Sequence, residues 1–324
     1  MRTSPTTRGR SPLSRPRHRQ RGAAILVAMV LLTVVATMSA GMVWQQWRGI
    51  QVEVAERSRS QSAWILMGAL DWARLILREH RREFTSLEDT WAQPLAEARL
   101  STFLAADKDN NAEGGPEAFL SGLITDAQTR YNLRNLVADG KPVEKEVEVL
   151  KRLCEVGGLS PGLAPTLAQS LAVAWSGTDP KMALGPGRLD DLAWIPLTAD
   201  QIQRLRPLVW ISPGQGTSKV NLNTASREVL AAVIEGIDLG TADRLVQTRK
   251  SKPFEKVDDA RAHLPPNAGL DGVTVKSEYF EVRGRLRLED RVLEEVSVVH
   301  KRNAGEVAVE QRQRVSTVLS TGGG

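Results

Sequence analysis

The hydrophobic pattern begins with one uninterrupted apolar segment near the N-terminus. Residues 23–43 contain no charged side chain. As a helix rising about 1.5 Å per residue, this segment would span about 30 Å, the thickness of a bilayer's hydrocarbon core. Trp44 and Trp47 follow it directly, and indole rings favour the membrane–water boundary. The pattern therefore predicts a membrane-spanning helix over residues 23–43.

Beyond this segment the apolar residues keep a helical spacing. Leu66, Leu70, Ala73 and Leu77 recur every three or four positions, which is the period of one buried helix face. The sequence therefore predicts that the helix continues to about Arg82, as an amphipathic core helix.

Strand-like patterns flank a long helical region. Ala98–Ala105 and Phe119–Asp126 are predicted strands, separated by the polar turn Asp107–Asn111. From residue 277 to residue 318, apolar and polar positions alternate, as in antiparallel strands with one buried face. The clearest predicted helices between these regions are Glu144–Cys154, Ala164–Trp175, Ala199–Leu205 and Arg227–Glu235.

Charge is distributed unevenly along the chain. The first 22 residues carry seven arginines and no acidic residue, whereas the whole chain has a formal net charge of +5. By the positive-inside rule the N-terminus is expected in the cytoplasm and the bulk of the chain across the membrane. Without this leader the chain is slightly acidic, so its composition does not indicate nucleic-acid binding. Cys154 is the only cysteine, which excludes an intramolecular disulfide and favours a small buried residue.

Arg21-Gly22 directly precedes the apolar helix. An ordinary signal peptide, cut near Ala36–Ala40, is the alternative, but its apolar region would be unusually long. The arrangement instead resembles the class III leader of type IV pilins and type II secretion pseudopilins. That resemblance implies cleavage by a prepilin peptidase after Gly22, with Ala23 as the new N-methylated terminus. The helix would then stay on the mature protein.

Further motifs resemble one family, the minor pseudopilin K family of type II secretion systems. Most pilins have a glutamate where this chain has Val27, and pseudopilin K characteristically lacks it. The Trp91-Ala92-Gln93-Pro94 string and a pattern running from Ile124 through Asp126 and Asn132 also match the family. Asp126 and Asn132 are expected to accept hydrogen bonds from nearby backbone, as Asx residues do in turns. The resemblance covers residues 21 to about 318.

A second module lies within the predicted helical region. Val220-Asn221-Leu222-Asn223-Thr224-Ala225 and the segments after it resemble a helix-hairpin-helix unit. Asn223 or Thr224 is expected to cap the helix that begins near Ser226. Asp238 replaces the second glycine of a DNA-binding hairpin, and a carboxylate repels a phosphate. Residues 219–263 carry eight Lys or Arg against seven Asp or Glu, so the module shows no strong basic excess and a packing role is favoured.

Enzyme and metal motifs are weak. The four histidines are scattered, and no nucleophile lies near a predicted base. Relatives commonly carry Trp-x-Asp-x-Asp after the second predicted helix, and some bind calcium in this region. Here Gly177 replaces the first acid and only Asp179 remains, which leaves a weak calcium site. The sequence therefore predicts no enzyme, no cofactor and no confident metal site.

The expected fold is α+β: a transmembrane helix continuing into a pilin-like core of helix and antiparallel sheet, with a large α-helical domain inserted between strands. The expected boundaries are a cleaved leader (1–22), the membrane helix (23–43), its soluble half and a linker (44–97), first strands (98–130), the insertion (131–270, with the helix-hairpin-helix at 219–263), last strands (271–318) and a disordered tail (319–324).

The resemblance implies a tip subunit of the periplasmic pseudopilus, anchored in the inner membrane. It would assemble with minor pseudopilins of the I, J and H types and would bind no nucleic acid. The alternative is a membrane-anchored DNA receptor of the competence type, which also combines an N-terminal helix with a helix-hairpin-helix. That alternative leaves residues 80–218 and 270–318 unexplained.

Overall fold

The computed structural model describes residues 20–101, 118–176, 185–195, 197–288, 291–302 and 305–318. Most of the leader, the turn Asp107–Asn111, Asp179 and the C-terminal tail lie outside these residues. The chain divides after Gln61 into two compact units, and helix α1 (Gln20–Glu79) contributes to both.

The first unit contains the apolar part of α1. Its large side chains are all exposed to the surroundings rather than to protein, as in Leu32, Met38 and Val43. Thr33 and Thr37 donate their hydroxyls to backbone carbonyls one turn earlier, so neither leaves an unsatisfied polar group for lipid. Among the described residues, α1 is the one helix whose length and composition suit a membrane span.

The second unit is built on a five-stranded antiparallel sheet. Its strands, in their order across the sheet, are β1 (Leu95–Arg99), β2 (Ala118–Asp126), β9 (Tyr279–Leu288), β10 (Arg291–Lys301) and β11 (Val307–Val318). The C-terminal part of α1 covers one face. Leu66, Leu70, Ala73 and Leu77 are all buried there, which confirms the predicted helix face. Full burial of each such leucine stabilises the fold by about 1.5–3 kcal/mol.

Two predicted boundaries in this core are wrong. Helix α1 ends at Glu79 rather than near Arg82, because His80 and Arg82 leave the helix and pair with the buried carboxylate of Asp89. The first strand covers Leu95–Arg99 and so starts before the predicted range Ala98–Ala105, of which residues 102–105 lie outside the described residues. Pro94 cannot continue a helix and fixes an extended chain, so the strand starts directly after it.

The inserted domain occupies residues 127–278, between two strands that pair directly with each other. The prediction of 131–270 was too short, because a short helix, Ala127–Thr129, follows Asp126 at once and the chain returns to the sheet only at Tyr279. The helices of the insertion are α2 (Glu144–Val156), α3 (Leu163–Ser176), α4 (Ala199–Leu205), α5 (Arg227–Val233) and α6 (Leu239–Ser251). Short turns of helix cover Leu133–Leu136, Leu189–Trp194 and Val257–His263. Its short strands are β3 (Tyr131–Asn132) with β6 (Val209–Trp210), β4 (Val137–Ala138) with β5 (Lys141–Pro142), and β7 (Val220–Asn221) with β8 (Val273–Thr274).

The insertion has a hydrophobic core of its own, separate from the core under α1. Cys154 lies fully buried in it, as predicted. Burial raises the pKa of its thiol to about 11, so little reactive thiolate forms near neutral pH. This cysteine is therefore a packing residue.

Candidate functional site: a buried polar junction and an exposed helix face

Asp126, the last residue of β2, is 2% exposed and accepts four hydrogen bonds. Its Oδ1 accepts from the backbone N–H of Gln128 at 2.8 Å, which confirms the predicted Asx turn. Its Oδ2 accepts from the hydroxyls of Thr224 and Ser277, both at 2.6 Å, and from Nδ2 of Asn221 at 3.1 Å. These donors come from the helix-hairpin-helix module and from the segment before β9.

Asn221 extends this network to the segment after α1. Its Nδ2 also lies 3.2 Å from the carbonyl oxygen of Thr85 and 2.8 Å from Oγ of Ser277. The hydroxyl of Thr85 in turn accepts from the backbone N–H of Ser277 at 3.0 Å. We call these five residues the polar junction: Thr85, Asp126, Asn221, Thr224 and Ser277. The junction fixes the insertion to the sheet and to the segment that follows α1.

Hydrogen-bond donors, rather than a cation, satisfy the Asp126 carboxylate among the described residues. Burial raises the pKa of Asp126, while the bonds from Ser277, Thr224, Gln128 and Asn221 oppose that shift. An arrangement in which a buried carboxylate accepts four hydrogen bonds from the protein suits a structural role. The sequence singled out Asp126, Asn221 and Thr224 separately, and the structure brings all three together.

Asn132 organises a second turn. Its Oδ1 accepts from the backbone N–H of Arg134 at 3.1 Å, as predicted, and from that of Ser212 at 3.2 Å. Its Nδ2 donates to Oγ of Ser218 at 3.1 Å and to the carbonyl of Gly216 at 3.0 Å. Asn132 therefore holds the loop that leads into β7, which sequence reasoning did not detect because these partners lie far along the chain.

The predicted helix cap in the helix-hairpin-helix module is wrong. Ser226, not Asn223 or Thr224, caps α5, and its hydroxyl accepts from the backbone N–H of Val229 at 3.3 Å. Asn223 instead bonds both the N–H and the carbonyl of Phe254, each at 2.8 Å, and so joins the start of the module to its end. The position of Ser226 immediately before the helix was the available signal, since serine is a favoured N-cap residue.

Asp238 caps the second helix of the same module. Its Oδ1 accepts from the backbone N–H of Thr241 at 2.7 Å, and the hydrogen bonds from Thr241 lower the pKa of Asp238. This carboxylate therefore occupies the helix N-terminus where a DNA-binding hairpin would receive a phosphate.

Trp91 packs between the C-terminal end of α1 and the sheet. Its ring packs edge-to-face on Phe280 with centroids 5.2 Å apart, and its Nε1 donates to Oδ2 of Asp89 at 3.3 Å. The same Asp89 oxygen lies 2.9 Å from Nε2 of His80. Trp91 and Pro94 thus fix the connection from α1 to β1, and Pro94 also lines a cavity described below.

In the second unit α1 leaves an apolar surface uncovered. Trp64 is 68% exposed, Trp72 49% and Leu75 42%. We call these three residues the exposed helix face. Contiguous exposed apolar side chains of this size mark protein–protein or membrane contacts.

The remaining predicted residues have no binding geometry in the described chain. Gly22, Ala23 and Val27 all lie within α1. The weak calcium residue Asp179 falls outside the described residues. In the ranges that the structure describes, no three His, Cys, Asp or Glu side chains cluster so as to hold a metal ion.

These features define a class of protein: a pilin-like subunit with a membrane-compatible N-terminal helix and a large helical domain inserted into its sheet. The family of type II secretion system (T2SS) protein K matches residues 220–283, which include the helix-hairpin-helix module.

Two relatives extend the match over nearly the whole chain. Type II secretion system protein K of Pseudomonas aeruginosa is 27% identical over 95% of this chain and 97% of the relative. The protein of the same name from Pectobacterium carotovorum subsp. carotovorum is 25% identical, over 92% and 97% respectively.

A solved structure has the same fold. It is a chain of the GspK-GspI-GspJ complex from the enterotoxigenic Escherichia coli type 2 secretion system, with a TM-score of 0.59. It is 18% identical, and the match covers 81% of this chain and 99% of that one. The resemblance to pseudopilin K predicted from the sequence is confirmed.

Proposed function

We propose that this chain is a minor pseudopilin of a type II secretion system, which caps the periplasmic pseudopilus, initiates its assembly and so supports protein export across the outer membrane. The observation that carries this proposal is the combination of a pilin-like core with the insertion 127–278 placed between two sheet strands. A domain of that size would obstruct the next subunit of a helical filament, so the subunit suits the end of the filament.

The proposed location follows from the first unit. The apolar helix anchors the chain in the bacterial inner membrane, the arginine-rich leader stays in the cytoplasm and the bulk of the chain lies in the periplasm. Prepilin peptidase would process the leader. The role is assembly rather than catalysis, and it requires no cofactor.

The proposed partners are minor pseudopilins of the I and J types, with the H type as the link to the filament. Val27, in place of the usual glutamate, supports the tip position. A subunit that enters first has no earlier subunit whose terminal amine its glutamate would neutralise. The first subunit would then contact its partners only on the side that faces the membrane, through α1.

Co-purification tests this proposal. Full-length chain in detergent, mixed with I- and J-type pseudopilins of the same secretion system, should form one stable complex. Trp64→Glu and Trp72→Glu should each weaken it at least about tenfold, since a charge would be buried at the contact. Leu239→Glu, at an exposed apolar position of the insertion, is the matched control and should bind normally.

Two results would contradict the proposal. One is the absence of any complex with the I- and J-type proteins. The other is formation of homopolymers by this chain alone, because a tip subunit does not extend a filament of its own kind.

A further inference from the structure

A mostly apolar cavity of about 340 Å³ lies between α1 and the sheet in the second unit. Leu66, Ala69 and Ala73 line it from the helix, Trp91 from the connection, and Ser297 from the sheet. Protein interiors are close-packed, and few of their voids exceed the size of a water molecule. A hollow of this size beside a core helix therefore requires an explanation.

Residue choice in the sheet creates the hollow. Gly122 of β2 pairs with Gly284 of β9, and Gly284 pairs with Glu295 of β10. This row faces α1, since a Cβ added at Gly284 would lie 3.3 Å from Cδ2 of Leu66, and Leu95 of β1, which pairs with Gly122, is its one apolar side chain. The adjacent row on one side holds Leu120, Leu286 and Leu293, which pack against α1 in the usual way. Glycine within a strand weakens it, so two paired glycines at this position indicate space that is needed for something else.

One polar group in the hollow is left without a partner. Ser297 is 1% exposed, and among the described residues its hydroxyl has no hydrogen-bond partner. Most buried polar side chains in folded proteins are satisfied, because an unpaired one is destabilising. Glu295 differs, because its carboxylate forms ion pairs with Arg314 and Arg312 of β11, although its Oε1 accepts no hydrogen bond from the described residues. The walls of the hollow are therefore mostly apolar, and Ser297 contributes a buried hydroxyl without a hydrogen-bond partner among the described residues.

The cavity connects to the exposed helix face. Trp72 lines the cavity and is itself half exposed, so the hollow opens beside the surface that binds partners in the proposed function. Any partner held in the same membrane by an equivalent helix would lie along α1 and reach this opening.

We propose that a neighbouring minor pseudopilin inserts an aromatic side chain carrying a hydrogen-bonding group, tyrosine or tryptophan, into this cavity and bonds the Ser297 hydroxyl. Such side chains combine a large apolar body with one polar atom and commonly anchor protein interfaces in pockets. This inference rests on the proposed function and names the contact that secures the partner.

Filling the cavity from the helix tests the inference. Full-length Ala69→Phe, in detergent with I- and J-type pseudopilins, should lose at least about tenfold in affinity because the added ring occupies the socket. Its unbound thermal midpoint should stay unchanged or rise, as cavity-filling changes often do. Ala63→Phe, on the same helix but outside the cavity, is the matched control and should bind like the wild type.

Ser297→Ala provides a second test that perturbs the fold little. It should raise the thermal midpoint of the free chain, since an unpaired buried hydroxyl is removed, yet weaken partner binding about threefold to tenfold. If Ser297 had only a structural role, its replacement would not raise the thermal midpoint and also weaken partner binding. Should Ala69→Phe fail to fold, this variant decides the question.

Several outcomes overturn the inference. Equal affinity for Ala69→Phe and Ala63→Phe means that the cavity receives no partner side chain, and so does unchanged binding by Ser297→Ala. Displacement of a bound detergent or apolar dye by Ala69→Phe, without loss of partner affinity, would assign the cavity to a small apolar molecule instead. If the wild type binds neither partner, the proposed function itself is refuted. That outcome is distinct from a result that refutes only the cavity contact.

Discussion

At the residue scale, Asp126 connects segments that lie far apart in the chain. Its carboxylate accepts hydrogen bonds from Thr224 and Asn221 of the helix-hairpin-helix module and from Ser277 before β9. If the carboxylate were removed, the hydroxyls of Thr224 and Ser277 would lose this acceptor, whereas Nδ2 of Asn221 would keep the Thr85 carbonyl and the Ser277 hydroxyl. The polar junction is therefore sensitive to single substitutions.

We expect Asp126→Ala to lower the free energy of unfolding by about 2–4 kcal/mol, because several buried donors lose their acceptor at once. Urea titration of the full chain in detergent measures this loss. Asp258→Ala, at an exposed acidic position, is the control and should change stability by less than about 0.5 kcal/mol. Equal effects of the two substitutions would show that the junction does not hold the insertion in place.

His80 makes a second residue-scale prediction, on pH. Burial lowers the pKa of His80, although the adjacent Asp89 opposes the shift. Below its usual value of about 6.5 the unfolded chain therefore binds a proton that the folded chain resists. This contribution to stability is complete above pH 6.5 and is lost as the pH falls through the lowered value.

The stability lost between pH 7.5 and pH 5.5 should therefore be smaller in His80→Gln than in the wild type. Chemical unfolding at the two pH values measures the difference. His263→Gln, at an exposed histidine, should leave the wild-type pH dependence intact. An unchanged pH dependence in His80→Gln would contradict the assignment to His80.

At the scale of elements, polar side chains hold the helix-hairpin-helix module together. Asn223 bonds both backbone groups of Phe254, and Asp238 caps α6 with its own carboxylate. The backbone N–H of Thr241, in the first turn of α6, is thus bonded within the protein.

We expect the full chain to show no salt-dependent binding of duplex DNA at physiological salt, as measured by fluorescence anisotropy. Affinity that depends on phosphate contacts falls steeply with salt, which separates it from non-specific background. Asp238→Gly, which removes the carboxylate from the hairpin, is an informative comparison. Wild-type binding tighter than about 1 μM with a steep salt slope would favour the competence-type receptor.

Periodic elements could be predicted from the sequence, because their signal is local. Strand β2 and helix α4 lie where predicted, and the buried apolar residues of α1 are the four that its spacing indicated. Helix α5 begins where predicted, but its N-cap is Ser226. Several consecutive residues before the helix are good capping residues, and the sequence alone does not show which of them the backbone places at the N-cap position.

The site itself could be predicted only in part. The family motifs singled out Asp126, Asn221 and Thr224, but no periodicity links residues that far apart in the chain. Thr85 was missed and Ser277 was noted only as the start of the last strands, since a buried threonine or serine has no local pattern that distinguishes it from an exposed one. The cavity was also invisible, because Gly122 and Gly284 become a pair only through the sheet register.

At the scale of the whole molecule, the leader and the apolar helix decide how the protein is made. The first 22 residues end in Arg21-Gly22, immediately before the predicted membrane span. Two processing routes lead to different mature proteins, one with the helix and one without it.

We expect the mature chain to begin at methylated Ala23, as N-terminal mass spectrometry of membrane extracts would show. Gly22→Val should leave the precursor uncut, because the peptidase requires a glycine at that position. Gly41→Val is the matched control: it lies in the same helix with no other residue within 4 Å of its added Cβ and should be processed normally. A mature chain starting near Gly41 would instead identify an ordinary signal peptide.

The direct pairing of β2 with β9 has an evolutionary consequence. Asp126 and Phe280 are register partners on neighbouring strands, so the insertion leaves and rejoins the sheet at almost the same point. Neighbouring strands lie only about 5 Å apart, a gap that a tight hairpin turn also closes. The whole domain could therefore be enlarged, exchanged or deleted in evolution without altering a single pairing in the sheet.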